Sequence, residues 1–464
     1  MTGSTARRNG DVSHWYTASG IPSRRPPLPG HRTADVCITG GGLTGLWAAY
    51  YLKRAKPELD IVVVEREFAG FGASGRNGGW LTSGFAAPRR RLAATHGRDA
   101  VIALLREMQR TVDEVIAVCD AESIDAKALR CGILHVARSE AQLARMHTQI
   151  ADDRRWGLTE DDIRELSGKE VAERLQVEGA LGATFNPHGA RVQPADLVRG
   201  LADSVERAGV TIYEQTEVTE VVAGRAITSR GTVSAPVQLT CLEGFTASLK
   251  GHRRDWLPLN SAMVVTEPLP DLVWERIGWD GAELLGDRAH AYIYAQRTSD
   301  GRVALGGRGV PYRYGSRTDT DGRTQQRTIS QLTSVLHDMF PALKDIPIDH
   351  AWCGVLGVPR NWTPTVRFEP ATGLGSAGGY VGNGVATANL AGRTLRDLVL
   401  GDTTDLTALP WVDQRTRAWE PEPLRYLGAG LVYALYREAD RRESRGLPRT
   451  SALAKVATRI SGRW

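Results

Sequence analysis

The stretch 34–45 constrains the fold of this chain more than any other. An apolar run, Val36–Ile38, predicts a buried strand, and Gly40, Gly42 and Gly45 then form a G-x-G-x-x-G pattern in front of a helical segment. The first glycine allows a tight turn, the second lets the backbone approach a pyrophosphate, and the third lets helix and strand pack closely. Because the helix N-terminus also offers free N–H groups and a partial positive charge, the pattern predicts a dinucleotide site.

An acidic residue follows at the distance that such a site requires. A second apolar run, Ile61–Val64, ends at Glu65, 20 residues after Gly45. A carboxylate there can accept hydrogen bonds from ribose hydroxyls and would repel a 2′-phosphate, which disfavours NADP. Strand, glycine turn, helix and acid in this order favour a dinucleotide site over an ordinary turn between a strand and a helix.

The loop at 70–79 follows the acid closely and is unsuited to a core element. It combines several glycines with Ser74, Arg76 and Asn77. A flexible surface turn would explain this composition. Next to a dinucleotide motif, however, backbone N–H groups and short polar side chains favour close contact with a flat ligand.

Length, composition and charge limit the class of protein. The chain has 464 residues, which predicts two interlocked domains, and its 42% hydrophobic and 24% charged residues are typical of a globular enzyme. No apolar run of about 18 residues predicts a membrane span, and the N-terminus lacks the apolar segment of a signal peptide, so we expect a cytoplasmic protein. The five cysteines include no C-x-x-C pair and are expected to be reduced, with no metal site.

The excess positive charge lies at the C-terminus. Residues 436–464 contain eight Arg or Lys and three Asp or Glu, which accounts for the whole net charge of +5. Aromatic residues do not alternate with these basic ones as they do on many nucleic-acid-binding surfaces. We therefore expect a solvated basic tail and no nucleic-acid partner.

Periodicity and turn residues outline the remaining elements. Helices are predicted within 91–130 and 139–177, from Pro194 to Ala208, from Ala386 to Leu400, and in the last sixty residues. Strands are predicted at 211–214, 218–222, 259–266, 290–297 and 302–306. The middle of the chain is therefore predicted to form a mixed sheet.

Further segments give the chain a family resemblance. Together with the glycine motif, Glu65 and the 73–79 loop, it contains Val-Gln-Pro-Ala-Asp-Leu at 192–197, Glu-Gly-Phe-Thr at 243–246 and Ala-Gly-Gly-Tyr-Val-Gly-Asn-Gly-Val at 377–385. In these segments the chain resembles the D-amino-acid-oxidase-like FAD oxidoreductases, and within them the γ-glutamylputrescine-oxidase branch. The resemblance extends from about residue 15 to about residue 445.

The resemblance implies FAD as the cofactor and assigns roles to particular residues of this chain. The glycines of the motif would hold the pyrophosphate, Glu65 the adenosine ribose, and the backbone of Val218 the adenine. The implied cofactor residues are Gly40, Gly42, Leu43, Thr44, Gly45, Glu65, Arg66, Gly72, Ala73, Ser74, Gly75, Arg76, Asn77, Gly78, Gly79, Val218, Gly379, Gly382, Asn383, Gly384, Val385 and Ala386. The segment 379–386 precedes a helix, whose N-terminus would stabilise the negative charge of a reduced flavin.

The expected fold class is α/β (α+β overall), with a Rossmann-like FAD-binding domain interleaved with a substrate domain built on a mixed β-sheet. The predicted boundaries are an N-terminal arm at 1–33, a discontinuous FAD-binding domain at 34–95, 187–258 and 349–402, a substrate domain at 96–186 and 259–348, and a helical basic tail at 403–464.

Aromatic residues near the middle sheet are the candidates for substrate contact. Strand alternation over 289–297 would place His290, Tyr292, Tyr294 and Gln296 on one face. Oxidation of an amine by a flavin needs an oriented C–H bond and benefits from aromatic faces around the nitrogen. The candidate catalytic residues are Tyr292, Tyr294, Trp352, Trp362 and Tyr380, together with Arg308, which could pair with a substrate carboxylate. Core packing of the aromatic residues and a structural ion pair for Arg308 are the alternatives.

Cys353 is a candidate for covalent flavin attachment, because some sarcosine-oxidising relatives attach flavin through a cysteine in this general region. The surrounding Trp-Cys-Gly-Val lacks the other residues of those enzymes. We therefore expect FAD to be bound non-covalently and Cys353 to be a buried thiol.

These observations predict an FAD enzyme that oxidises a primary or secondary amine, or an amino acid, to an imine that water hydrolyses. The partners would be a small amine and an electron acceptor, O₂ or another. An NAD(P)H-dependent flavin monooxygenase and a non-catalytic FAD scaffold are the alternatives. The first would require NAD(P)H binding although the chain has no second strand–G-x-G-x-x-G–helix unit.

Overall fold

The computed structural model describes residues 6–307, 312–318 and 321–463. Its helices are α1 (His14–Ser19), α2 (Leu43–Ala55), α3 (Arg89–His96), α4 (Arg98–Ala121), α5 (Glu140–Arg155), α6 (Gly168–Ala172), α7 (Pro194–Arg207), α8 (Asp271–Ile277), α9 (Gln326–Met339), α10 (Gly384–Leu400), α11 (Leu424–Ser444) and α12 (Ala452–Ser461). Short 3₁₀ turns occur at Ala73–Gly75, Glu243–Ser248, Tyr314–Ser316 and Pro341–Leu343.

The strands are β1 (Arg8–Asn9), β2 (Arg32–Thr33), β3 (Val36–Thr39), β4 (Ile61–Val64), β5 (Trp80–Thr82), β6 (Leu129–Arg130), β7 (Ile133–Ala137), β8 (Arg164–Ser167), β9 (Gly182–Asn186), β10 (Gly189–Arg191), β11 (Thr211–Tyr213), β12 (Val218–Val222), β13 (Arg225–Thr228), β14 (Gly231–Ser234), β15 (Val237–Thr240), β16 (Trp256–Thr266), β17 (Leu284–Asp287), β18 (Ile293–Arg297), β19 (Val303–Gly307), β20 (Ile348–Pro359), β21 (Thr365–Glu369) and β22 (Leu374–Gly378).

A six-stranded sheet carries the glycine motif, in the order β11-β4-β3-β15-β22-β21. Its first five strands are parallel, and β21 is antiparallel to β22. Every residue of β3 and β4 is buried. One face of these strands packs against α2, α7 and α10, and the other packs against the small sheet β12-β13-β14-β2. A parallel sheet covered on both faces explains why both strands are continuous apolar runs.

A nine-stranded mixed sheet forms the second layer, in the order β1-β20-β16-β19-β18-β17-β7-β9-β8. The long strands β16 and β20 pair antiparallel along nearly their whole length. A three-stranded sheet, β5-β10-β6, includes the segment that follows the 73–79 loop. Because β20 lies in the nine-stranded sheet, residues 348–359 share it with strands of the predicted substrate domain. The proposed domain boundaries themselves stay a prediction.

The predicted helix at 194–208 is confirmed as α7, which begins at Pro194 and ends at Arg207. The side chain of Gln193 accepts a hydrogen bond from the N–H of Asp196 at 2.8 Å and caps the helix. The C-terminal region is helical as predicted, with α11 packed against α12. All five cysteines are free thiols. Within the described ranges, no helix is both long and apolar enough to cross a bilayer.

Candidate active site

The glycine turn between β3 and α2 forms one wall of the main cavity. Gly40 has a φ of +108°, and a Cβ here would lie 2.6 Å from the carbonyl oxygen of Cys241. A Cβ on Gly45 would lie 2.1 Å from the carbonyl oxygen of Gly40, so a side chain would separate helix from strand. A Cβ on Gly42 would lie 2.9 Å from Oγ of Ser74, across the cavity wall. Each glycine therefore has a steric reason to be glycine.

The same cavity collects segments that are far apart in the sequence. Fourteen of the predicted cofactor residues line it, and so does the predicted catalytic residue Tyr380: Gly40, Gly42, Leu43, Thr44, Glu65, Arg66, Gly72, Ala73, Ser74, Asn77, Val218, Gly382, Gly384 and Val385. Lining residues for which the sequence suggested no role are Thr39, Val64, Phe71, Thr216, Glu217, Cys241, Leu242, Glu243, Gly244, Phe245, Ser248, Val355, Leu356 and Ala388. Several of the lining residues lie at or just after the ends of strands β3, β4, β11 and β15. The carboxyl ends of these parallel strands meet at one edge of the sheet.

Eight predicted cofactor residues are not among those that line this cavity: Gly45, Gly75, Arg76, Gly78, Gly79, Gly379, Asn383 and Ala386. Arg76 is one example. Its guanidinium lies 4.3 Å from the ring centre of Phe71, and its Nε donates to the Phe71 carbonyl at 2.7 Å. The side chain is buried and braces the loop from behind. Cofactor contacts for these eight residues remain predictions.

Glu65 lies at the end of β4 with its carboxylate directed to the glycine turn. It accepts hydrogen bonds from the N–H groups of Gly41, at 2.8 Å, and Glu67, at 2.9 Å. Burial raises its pKa, although these two hydrogen bonds oppose the effect. Val218, the first residue of β12, lines the same cavity as Glu65, so both residues that the resemblance assigned to the adenosine border one cavity.

Two helix N-termini face the cavity. Leu43 and Thr44 begin α2, and Gly384 and Val385 begin α10; all four line the cavity. The hydroxyls of Thr44 and Tyr380 lie 3.0 Å apart and connect the two helix starts. The two positive helix ends make this region suited to phosphate and to other negative charge, although the N–H of Leu43 already donates to Oγ of Ser74 at 2.8 Å.

Glu243 is the most informative residue for which the sequence suggested no role. It has a φ of +45°, its carboxylate accepts a hydrogen bond from the N–H of Tyr380 at 2.8 Å, and it accepts another from the N–H of Gly357. Burial raises its pKa to about 7. The Glu-Gly-Phe sequence after a buried strand was visible, but nothing in it showed that the distant segments at Gly357 and Tyr380 would bind the carboxylate.

The loop that lines the cavity lies against the nine-stranded sheet. A Cβ on Gly78 would lie 2.7 Å from the ring of Tyr294, and Nε2 of Gln296 donates to the Gly78 carbonyl at 2.6 Å. The hydroxyls of Tyr294 and Ser261 lie 2.8 Å apart, and the rings of Trp80 and Tyr294 meet edge to face with centroids 6.2 Å apart. Tyr294 of strand β18 and Trp80 of strand β5 thus place two aromatic rings beside the loop.

The prediction that His290 and Tyr292 share this strand face is wrong. Strand β18 begins only at Ile293, because the Asp287 carboxylate accepts the N–H of Ile293 at 3.0 Å and closes a turn before it. His290 Nε2 lies 2.9 Å from the carboxylate of Glu443 in α11. The ring of Tyr292 packs under Arg463, 5.2 Å from its guanidinium carbon. Both side chains therefore contact the C-terminal tail.

Trp352 and Trp362 occupy two different places. Trp352 is fully buried beside Trp15, and its Nε1 donates to the Arg76 carbonyl at 2.9 Å, so its ring braces the loop from below. Trp362 Nε1 donates to the carbonyl of Ser461 at 2.9 Å, at the end of α12. Neither ring lines the main cavity.

Cys353 and Arg308 complete the set of predicted site residues. Cys353 is buried in β20, and its thiol donates to the carbonyl of Arg323 at 3.2 Å. It does not line the main cavity. Arg308 lies outside the described residues, so its predicted role stays a prediction.

The donor set fits a flavin adenine dinucleotide. A glycine turn that a Cβ would obstruct, two helix N-termini and a carboxylate at the end of the second strand meet the needs of pyrophosphate and ribose. The family profile described as DAO: FAD dependent oxidoreductase matches residues 35–398. The chain belongs to the DAO family of FAD-dependent oxidoreductases. It is therefore an enzyme whose cofactor is FAD.

Individual relatives agree with this family. A probable oxidoreductase OrdL of Rhizobium meliloti is 29% identical, over 85% of this chain and 90% of its own length. The gamma-glutamylputrescine oxidoreductase of Escherichia coli is 28% identical, over 80% of this chain and 84% of its own. Among solved structures, glycine oxidase from Bacillus cereus superposes with a TM-score of 0.67 at 23% identity and covers 82% of this chain and 99% of its own. This structural similarity confirms the predicted fold class.

Proposed function

We propose that this DAO-family enzyme oxidises a primary or secondary amine, or an amino acid, to an imine that water then hydrolyses. The observation that carries the proposal is the contact between Gly78 and Tyr294. This contact supports the proposal because the 73–79 loop, part of which lines the main cavity, lies beside Tyr294 of strand β18 in the second sheet. The names of relatives, which include a gamma-glutamylputrescine oxidoreductase and a glycine oxidase, support an amine or amino acid as the substrate class.

FAD, when bound, supplies an acceptor for the hydride equivalent that leaves the substrate carbon. The chain contributes binding and orientation. The phenol of Tyr294, fixed by Ser261, and the indole of Trp80 present aromatic surfaces that can hold an ammonium ion and release a neutral amine. The start of α10, next to Tyr380, provides N–H groups that stabilise negative charge without rearrangement.

The test is an anaerobic panel of amines and amino acids added to the purified holoenzyme, with absorbance near the flavin band as the measurement. We expect at least one compound to bleach the band, and readmission of O₂ or an artificial acceptor then shows whether O₂ takes the electrons. Bleaching by NADPH alone would establish the monooxygenase alternative. A band that no amine, amino acid or nicotinamide bleaches would indicate a scaffold. The cytoplasmic location expected from the sequence stays a prediction.

A further inference from the structure

A second cavity lies between α3, α5, the turn after β17 and the C-terminal helices α11 and α12. Its volume is about 1140 Å³, which is enough for a small organic ligand. None of its lining residues lines the main cavity. Among the residues that the structure describes, two carboxylate side chains line it, Asp152 and Asp287. Its basic lining residues are Arg89, Arg90, Arg145, Arg155, Arg288, Arg449, Lys455 and Arg463.

Three of these eight cations are neutralised by neighbours. Arg89 pairs with Asp153, Arg90 with Asp152, and Arg145 with Glu443. The remaining five make no ion pair with any residue that the structure describes: Arg155, Arg288, Arg449, Lys455 and Arg463. These five cations come from three separate parts of the sequence, 155, 288 and 449–463, and an anion bound between them would reduce their mutual repulsion.

Arg288 differs from the other four because one nitrogen of its guanidinium is buried without a hydrogen-bond partner. Its Nη2 donates to the hydroxyl of Thr184 at 2.6 Å, but its buried Nε has no hydrogen-bond partner. Burial lowers its pKa to about 10. The Asp153 carboxylate attracts this guanidinium but forms no ion pair with it, whereas buried charges are normally paired. An anion in the cavity would provide the missing counter-charge.

We propose that this second cavity binds a small organic anion with two or more negative charges, a polycarboxylate or a phosphorylated compound. The concave shape, walled by elements from four regions of the chain, favours a small molecule over a nucleic acid or an acidic protein. Such a ligand would join α12 and the tail, through Lys455 and Arg463, to the body of the protein at Arg288. The proposal concerns binding outside the FAD cavity and does not depend on which substrate the enzyme oxidises.

The test measures binding to the FAD-loaded protein by calorimetry, with citrate and with tripolyphosphate as separate probes and with NaCl keeping the ionic strength constant. We expect saturable binding of one probe molecule per chain. The double variant Arg449→Gln/Lys455→Gln should weaken it at least tenfold. A matched double variant, Arg225→Gln/Arg276→Gln, removes two exposed cations elsewhere and should bind like the wild type. Flavin absorbance verifies that both variants remain folded.

Binding of either probe supports the proposed site if Arg449→Gln/Lys455→Gln weakens it and Arg225→Gln/Arg276→Gln does not. Arg288→Gln is a third variant, and it should also weaken binding if it retains its flavin. Equal weakening by both double variants would show non-specific attraction to net charge and would overturn the proposal. Absence of binding to either probe would do the same. The proposal would also be overturned if only long polyanions such as heparin or DNA bound, because that result would identify a macromolecular surface.

Discussion

Two glycines can be compared directly, since one has a neighbour where its side chain would be and the other has none. A Cβ on Gly45 would lie 2.1 Å from a backbone oxygen, whereas a Cβ on Gly430 in the exposed part of α11 meets nothing within 4 Å. We expect Gly45→Ala to destabilise the protein by about 3 kcal/mol or more and to lose FAD. Gly430→Ala should be neutral or stabilise it by up to about 1 kcal/mol. Thermal unfolding and the ratio of flavin to protein absorbance measure both effects.

The position of Gly42 gives a related prediction with a different readout. Its side chain would enter the cavity beside Ser74 without meeting the backbone of another segment. Gly42→Val should therefore fold but bind FAD at least a hundredfold more weakly, because the branched side chain occupies the path of the pyrophosphate. Circular dichroism reports the fold, and reconstitution with free FAD reports the affinity. Wild-type FAD affinity in this variant would contradict the assignment of the turn.

Glu243 makes FAD binding depend on pH. Burial raises its pKa to about 7, so folding favours the protonated form, and this stabilisation is lost as the pH rises through that value. The ionised carboxylate would also repel the pyrophosphate in the same cavity. We expect wild-type protein to bind FAD more weakly at about pH 8 than at about pH 6, and Glu243→Gln to lose this step. Parallel pH profiles for the two proteins in fluorescence titrations would show that another group is responsible.

At the scale of elements, α11 is held to the body of the protein through Glu443. Its buried carboxylate contacts Arg145 at 2.7 Å and His290 at 2.9 Å. Glu443→Gln should cost about 3 kcal/mol, since it leaves the Arg145 guanidinium without its carboxylate partner. Glu438→Gln on the same helix is the matched control, because Glu438 pairs with the nearby Arg441 on the surface and such pairs contribute about 0.5 kcal/mol or less.

The pH dependence of this contact has a definite sign. Burial raises the pKa of Glu443, but hydrogen bonds from His290, Ser451 and Arg145 outweigh it and lower the pKa to about 2. The stabilisation is therefore present above the ordinary value of 4.5 and is lost as the pH falls towards 2. Denaturant unfolding of wild type and Glu443→Gln should converge over that interval. A difference in unfolding free energy between the two proteins that persists at pH 2 would mean that packing, and not the charge of Glu443, holds the helix.

At the scale of the whole molecule, the proposed chemistry predicts how flavin reduction responds to pH. Hydride leaves only from a neutral amine, while the aromatic surfaces beside the loop can also hold the ammonium form. Reduction at saturating amine should therefore become faster between about pH 6 and about pH 10, through an ionisation of the bound substrate. Anaerobic stopped-flow absorbance measures this rate. A flat profile would point to a hydroxy acid or aldehyde as the substrate.

The structure of the whole molecule also predicts that FAD is attached without a covalent bond. Cys353 does not line the main cavity, and its thiol hydrogen-bonds to the carbonyl of Arg323. Acid precipitation should therefore release intact FAD into the supernatant. Flavin that sediments with the polypeptide would show that a covalent bond forms.

The sequence alone determined the dinucleotide motif, the acid at Glu65, the family and the fold class, because these depend on local order and spacing. Strand, turn and helix at 36–55 follow from apolar runs and glycines within a few residues of one another. Contacts between distant segments were decided only by the tertiary structure. The carboxylate of Glu243 acquired its hydrogen-bond partners because strand β20 at Gly357 and the segment at Tyr380 lie next to it. His290 lies outside the strand because a turn at Asp287 precedes β18 and because its imidazole contacts Glu443, 153 residues further along the chain. Strand alternation could not indicate either contact.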